Sequence, residues 1–145
     1  MSQQNYWLLK SEPEEWSWQM QVNKGVEGEA WSGVRNFQAR NSLQSMLLGD
    51  LCFFYHSGKR KEIVGIVEVS QTYQPDPSDS TGRFGLVWVR AVEALDKPVT
   101  LEQMKTEASK ASSALHALKL LKQPRLSVMP VLPEEWKAIV GMSKS

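Results

Sequence analysis

The spacing of apolar and polar residues changes several times along the chain, and each change marks an element. Tyr6-Trp-Leu-Leu-Lys10 is short and apolar on both faces, the pattern of a strand buried in a sheet. Ser11-Glu-Pro-Glu14 follows. A serine with a glutamate three residues on is a capping-box pattern, and Pro13 suits a first helical turn, which predicts a short helix over 13–20. Ala39, Leu43, Met46 and Leu47 form one stripe at helical spacing, so a second helix is predicted over 38–48, ended by Gly49-Asp50.

The middle of the chain has β character. Leu51-Cys-Phe-Phe-Tyr-His-Ser57 and Ile63-Val-Gly-Ile-Val-Glu-Val69 are rich in aromatic and β-branched residues, with Gly58-Lys-Arg-Lys-Glu62 as the turn between them. Gln74-Pro-Asp-Pro-Ser-Asp-Ser-Thr-Gly82 has the composition of a loop. Residues 84–92 alternate as a strand, with Leu86, Trp88 and Arg90 on one face and Val87, Val89 and Ala91 on the other, and Lys97-Pro98-Val99 interrupts the pattern. Helices are predicted over 101–105 and over 112–122, where Leu115, Leu118 and Leu121 are in register. A strand over 125–129 and a closing helix over 133–140 complete the chain. Pro-Glu-Glu-Trp occurs at 13 and again at 133, and reads as two helix starts with acids near the positive dipole end, not as a repeat. Short strands interleaved with helices, without regular βαβ spacing, predict an α+β fold with a small curled sheet.

Composition narrows the class. A chain of 145 residues with 41% hydrophobic and 23% charged side chains is expected to form one soluble domain spanning 1–145. The lone Cys52 cannot form an intramolecular disulfide and points to a reducing, cytoplasmic setting. Gln3, Gln4 and Asn5 interrupt any leader-like apolar run, and no stretch approaches the roughly 20 residues a membrane helix needs. With 17 basic and 16 acidic residues the net charge is +1, too balanced for a protein that coats nucleic acid. Any such role must come from a local pocket. Six tryptophans are the one compositional excess.

The candidate chemistry is that of binding rather than catalysis. Cys52 and His56 are four apart on a predicted strand, about 13 Å of travel at ~3.3 Å per residue, too far for a thiolate–imidazole pair. His116 falls on the leucine-striped helix. One cysteine and two distant histidines give no metal-ligand spacing, and neither a phosphate loop nor a nucleophile elbow is present, so no catalytic residue, metal or cofactor is expected. Trp31-Ser-Gly-Val-Arg-Asn36 differs from the rest. It sets an aromatic face, a guanidinium fork and an amide on a glycine-hinged loop, groups that suit a flat, polar, anionic ligand such as a nucleotide. If the ends of the predicted strands meet at one rim, Lys10 and Ser11 join this loop and Tyr55, His56 and Ser57 in a base-sized pocket. Trp31 and Tyr55 would be its walls, and Ser11, Asn36 and His56 its polar edge. Arg35, Arg40, Lys59, Arg60 and Lys61 are the candidate phosphate contacts. The same residues also allow a plainer arrangement, with Trp31 in the core, Arg35 paired with a carboxylate and the basic turn merely solvated.

Several of these stretches together resemble the EVE domain family: Tyr6-Trp-Leu-Leu-Lys-Ser-Glu-Pro13, Trp31-Ser-Gly-Val-Arg-Asn-Phe-Gln-Ala-Arg-Asn41, Gly49-Asp50 with Phe54-Tyr-His-Ser57, Gly65-Ile-Val-Glu-Val69, Pro75-Asp-Pro77 and Arg125-Leu-Ser-Val128. The resemblance implies a PUA-like fold, a small mixed β-barrel flanked by helices, shared with the YTH domains. It further implies a non-catalytic reader that encloses a modified base, chiefly a modified cytosine such as 5-methylcytosine in DNA. Carried onto this chain, the base pocket is Lys10, Ser11, Trp31, Ser32, Gly33, Val34, Arg35, Asn36, Tyr55, His56 and Ser57. An RNA-binding module and a sensor of small modified nucleosides are the alternatives.

Overall fold

The computed structural model describes residues 5–145; Gln3 and Gln4, named above in the polar start of the chain, lie outside them. The strands are β1 (Tyr6–Ser11), β2 (Glu29–Ala30), β3 (Leu51–His56), β4 (Glu62–Pro75), β5 (Gly85–Thr100) and β6 (Val128–Val131). The helices are α1 (Trp18–Asn23), α2 (Phe37–Ser45), α3 (Leu101–Ala108), α4 (Lys119–Lys122) and α5 (Pro133–Ser143). All six strands join one sheet in the order β2-β5-β4-β3-β1-β6, in which β1 runs parallel to β3 and the other pairs are antiparallel. The β1–β3 pairing brings Lys10 level with Tyr55 and Ser11 level with His56. Residues from the two outer edges line one cleft: Glu29 and Ala30 from β2, and Arg125 and Ser127 from the approach to β6. A sheet whose edges meet in this way is curled into a small barrel, the PUA-like form.

Successive strand residues face opposite sides of the sheet, and β3 shows what each side holds. Phe53 stacks on Trp136 of α5 at 3.8 Å, and Trp136 stacks in turn on Tyr6 at 4.5 Å. Phe54 instead takes Trp18, Trp31 and His56 edge-on, at 5.4, 5.6 and 5.6 Å. Gly65, the β4 partner of Phe54, makes room for this group: a Cβ there would lie 2.4 Å from a ring carbon of Trp18.

Two buried carboxylates fix the loops. Asp50 accepts from the Trp7 indole at 3.0 Å and from the Leu47 N–H at 2.9 Å. Asp76, at the end of β4, accepts from the Gly33 N–H (2.9 Å), Arg35 (3.2 Å), the Ser78 N–H (2.8 Å) and the Ser78 hydroxyl (2.6 Å). Burial would raise its pKa, but these donors outweigh burial and hold the carboxyl well below the usual carboxylate range.

Several predicted boundaries move, each for a local reason. The helix predicted over 13–20 is replaced by a turn at 12–16 and by α1, which starts later because Ser17, not Ser11, caps it through the Met20 N–H. Ser11 ends β1 and donates to the Trp16 carbonyl at 2.6 Å. The helix predicted over 38–48 stops at Ser45, because Asp50 takes the Leu47 N–H; Met46 stays buried in an extended conformation, while Leu47 and Leu48 are exposed. The strands β4 and β5 run on past their predicted ends, to Pro75 and Thr100. Pro98 is tolerated inside β5 because the register jumps there, setting 95–98 opposite the single residue Val64. The helix predicted over 112–122 shrinks to α4: the Ser113 hydroxyl takes the Leu115 N–H, a local bond that competes with helix formation. Leu115, Leu118 and Leu120 are nonetheless buried, and His116 is an exposed turn residue. Residues 125–127 precede β6 instead of starting it, since 123–126 form a turn closed by the Leu126 N–H on the Gln123 carbonyl at 3.1 Å.

Two stability measurements follow. Gly65→Ala must displace the Trp18 ring and is expected to cost about 1–3 kcal/mol in urea unfolding, like other overpacked core sites. Because the Asp76 pKa is lowered on folding, its contribution is complete above its ordinary value of 3.8 and is lost as pH falls below it. Asp76→Asn should therefore be less stable than the parent at pH 7, and its urea midpoint should fall less steeply from about pH 4 downward.

Candidate functional site

The cleft where the barrel edges meet has a volume of about 540 Å³, within the range of small-molecule pockets. Its floor comes from the end of β1. Lys10 is half-buried there; its Nζ donates to the Pro124 carbonyl at 2.7 Å and lies 5.7 Å from the centre of the Tyr55 ring. Burial draws the Lys10 pKa below its ordinary value. Ser11 and Ser57 continue the floor, joined by the Ser57 N–H on the Ser11 carbonyl at 2.9 Å.

Two tryptophans supply aromatic surface. Trp31 follows β2 and extends its pairing through its N–H to the Val87 carbonyl at 2.8 Å. Its indole is only 8% exposed and lines the cleft while its body packs on Phe54. Trp16 comes from the turn before α1. Its indole N–H donates to the buried Gln21 side chain at 2.9 Å, and Gln21 donates in turn to the Val89 carbonyl at 3.1 Å. Trp16 is thus tethered to β5 by a hydrogen-bonded strut.

The charges in the lining are mixed. Glu12, Glu15 and Glu29 set three carboxylates against two cations, Lys10 and Arg125. Glu29 lies 3.9 Å from Lys24, and Glu12 faces the turn at Gly58, where a Cβ would lie 2.8 Å from a carboxylate oxygen, so glycine leaves room for it. The Arg125 guanidinium has no ion-pair or hydrogen-bond partner among the described residues. A site of this kind disfavours a phosphate and suits a planar, neutral group with amino donors to offer.

Five of the residues singled out by sequence meet at this cleft: Lys10, Ser11, Trp31, Ser32 and Ser57. The others lie outside its lining. Gly33 and Arg35 are held on Asp76, and Arg35 also donates to Ser78 at 2.9 Å and to the Val34 carbonyl at 3.0 Å. Val34 is buried, and Asn36 caps α2 by accepting the Ala39 N–H at 2.9 Å. Tyr55 lies buried beneath Lys10, where burial pushes its hydroxyl pKa up to about 12. His56 accepts the Trp18 N–H through Nε2 at 3.0 Å, which places the ring proton on Nδ1. Burial, aided by Arg60, lowers its pKa, with Glu62 acting in the opposite sense. Arg40 donates to the Arg83 carbonyl and to Asn41 and rests over Phe37. Lys59, Arg60 and Lys61 form an exposed turn, with Arg60 3.8 Å from Glu62. Cys52 is wholly buried, which raises its thiol pKa further with help from Asp50.

The lining also holds residues that the sequence did not single out. Glu15 and Trp16 sit in a run that reads as a helix start, Arg125 and Ser127 in one that reads as a strand, and Pro124 just before it. Glu12, Arg125 and Ser127 did carry one signal, since all three fall inside stretches that support the family resemblance. Only the curl of the sheet brings the two segments together.

Comparison with known proteins places this geometry. The EVE domain matches residues 5–142. Thymocyte nuclear protein 1 of Mus musculus is 32% identical over 173 residues, covering 97% of this chain and 74% of that protein. A solved structure from Rhodopseudomonas palustris is 47% identical at a TM-score of 0.88, covering 97% of this chain and 93% of the other. Human thymocyte nuclear protein 1, solved in complex with 5-methylcytosine-containing DNA, also reaches a TM-score of 0.88, with 29% identity and 97% and 98% coverage. A YTH domain of Zygosaccharomyces rouxii, 17% identical at a TM-score of 0.57, shares the fold. With a family match spanning nearly all of its described residues, the chain belongs to the EVE domain family.

Proposed function

We propose that the protein reads a modified base in nucleic acid by enclosing that base, turned out of its strand, in the cleft between the barrel edges; the foremost candidate is a modified cytosine in DNA. The observation that carries this reading is the pairing, in one cleft, of indole surface from Trp31 and Trp16 with the carboxylates of Glu12, Glu15 and Glu29. A base stacks on the former, and its exocyclic amino group donates to the latter, as the cytosine amino group does to acidic side chains. The three carboxylates repel phosphate, so the base enters and the backbone stays outside. The likeness to human thymocyte nuclear protein 1 supports the same assignment.

Roles follow from placement. Lys10, held by the Pro124 carbonyl, offers its remaining protons to base oxygen or ring nitrogen acceptors, and Ser11, Ser32 and Ser57 line the same wall. The turn of Lys59, Arg60 and Lys61, next to Ser57, holds backbone phosphate at the rim. Arg35 acts indirectly: clamped on Asp76, it sets the course of the loop that presents Trp31 and Ser32. Tyr55 and His56 support the floor from below, through the Lys10 and Trp18 contacts.

The test is binding to matched oligonucleotides carrying cytosine, 5-methylcytosine, 5-hydroxymethylcytosine or N6-methyladenine, each as DNA and as RNA, with the free nucleosides alongside. A modified cytosine in DNA is expected to bind best. Equal, weak binding to every oligonucleotide would sink the base-enclosing reading, preference for the ribose versions would redirect it to RNA, and a free nucleoside as good as an oligonucleotide would make the protein a sensor. Trp31 belongs to the core as well as the cleft, so Trp31→Ala is expected to cost ~3–5 kcal/mol of stability. Trp31→Leu, which keeps much of the apolar volume, should stay folded by thermal melting yet bind the modified oligonucleotide about 5- to 150-fold more weakly. With three to five phosphate contacts, log affinity for duplex DNA should fall against log salt with a slope of about −3 to −4.5, and a flat response would exclude phosphate contact.

A further inference from the structure

A second, shallower cleft of about 390 Å³ adjoins the first and shares Pro124 and Arg125 with it. The wall between them is the turn at 123–126, with proline at its second position, where a fixed φ suits a tight turn. The turn is held from the first cleft by the Lys10 Nζ on the Pro124 carbonyl. The linings differ in kind. The first cleft contains three carboxylates; the second contains none. Its polar groups are instead the side-chain amides of Asn36, Gln38 and Gln123 together with the Arg125 guanidinium. Asn36 spends its oxygen on capping α2, leaving its NH2 to donate outward. The amides of Gln38 and Gln123 have no partner among the described residues. Lys122, the chain neighbour of Gln123, is exposed.

We infer that this second cleft is a subsite for the nucleotide adjoining the enclosed base, with Arg125 on the wall holding the phosphate that links the two. The inference rests on the base-enclosing reading of the first cleft and adds sequence context to it. A strand that delivers one base past the carboxylates must carry its phosphate over the wall, and Arg125 is the lining cation open to both clefts. The phosphate is repelled on one side, by Glu12, Glu15 and Glu29, and meets only amides and positive charge on the other. An amide presents a donor and an acceptor side by side and pairs bidentately with the matching pair on an adenine edge. Gln38 and Gln123 therefore make adenine the favoured neighbour, and the specificity of the protein covers a short step of sequence instead of an isolated base.

The experiment uses the full chain and oligonucleotides that carry one 5-methylcytosine, with the base on each side varied through all four identities. Their unmodified counterparts are measured in parallel. The parent protein is expected to prefer adenine at one of the two neighbouring positions by about 5- to 150-fold, the discrimination a bidentate pair supplies. Gln38→Ala with Gln123→Ala should flatten that preference and leave the ratio of modified to unmodified binding unchanged, with thermal melting confirming the fold. Arg125→Gln should weaken all sequences alike and reduce the salt slope by about 0.9 on duplex DNA or 0.7 on a single strand. A parent protein that discriminates the modified base but ignores both neighbours would overturn the second subsite and spare the first. A neighbour preference that survives in the double variant would overturn it equally. Loss of modified-base discrimination in the parent itself would instead mark failure of the first cleft's reading.

Discussion

The ring of Phe54 is the contact on which the region around the cleft depends. Trp18, Trp31 and His56 all meet it edge-on, the geometry in which the positive rim of one ring meets the negative face of another. Through these contacts one side chain of β3 fixes the start of α1, the loop after β2 and the end of β3 itself. The arrangement is possible because the residue beside Phe54 on β4 is Gly65, whose missing side chain is replaced by the Trp18 ring. Trp31 can therefore serve two masters: its body is core, and its remaining exposed surface is cleft wall. A side chain anchored in this way is held in place by the core, and preorganisation of that kind lowers the ordering cost of any binding at the surface it presents.

The acidic groups divide by position. Asp50 and Asp76 are buried and accept hydrogen bonds from the chain, so they serve to hold loops. Glu12, Glu15 and Glu29 line the cleft instead. The same division applies to the basic groups. Arg35 and Arg40 are committed to protein partners, whereas Arg125 and the turn of Lys59, Arg60 and Lys61 present charge outward. In a chain with a net charge of +1, opposite signs are thus sorted by place and not by number.

Much of the architecture was legible in the order of residues. Periodicity located the main strands and α2, and two helix starts at proline are half right: Pro133 opens α5, whereas Pro13 lies in a turn before α1. What misled was competition for the same backbone groups. Ser11 carries a capping pattern but is drawn into β1 by pairing with β3, and Ser17 caps the helix instead. Of the striped leucines after 112, Leu115 and Leu118 are buried, but Leu120 takes the third buried place in preference to Leu121, because the Ser113 hydroxyl and the non-helical Leu118 break the helix that would have carried them. At the cleft, Lys10, Ser11 and Ser57 were identifiable because they end or leave predicted strands, and Trp31 and Ser32 because they stand on a glycine-hinged loop of aromatic and polar residues.

By itself, then, the sequence determined the α+β class, the apolar faces that close the barrel and the strand-end residues at its mouth, because each of these depends on neighbours a few positions apart. Tertiary structure alone decided which polar groups remained available to a ligand. Arg35 has the chemistry of a phosphate clamp, and only the folded chain sets it against Asp76, more than 40 positions away. Arg125, unremarkable on its own, reaches the cleft because the sheet curls until β6 stands across from β2. Local pattern fixes what each side chain is able to do; long-range pairing, through distance and desolvation, fixes which of them is left to do it.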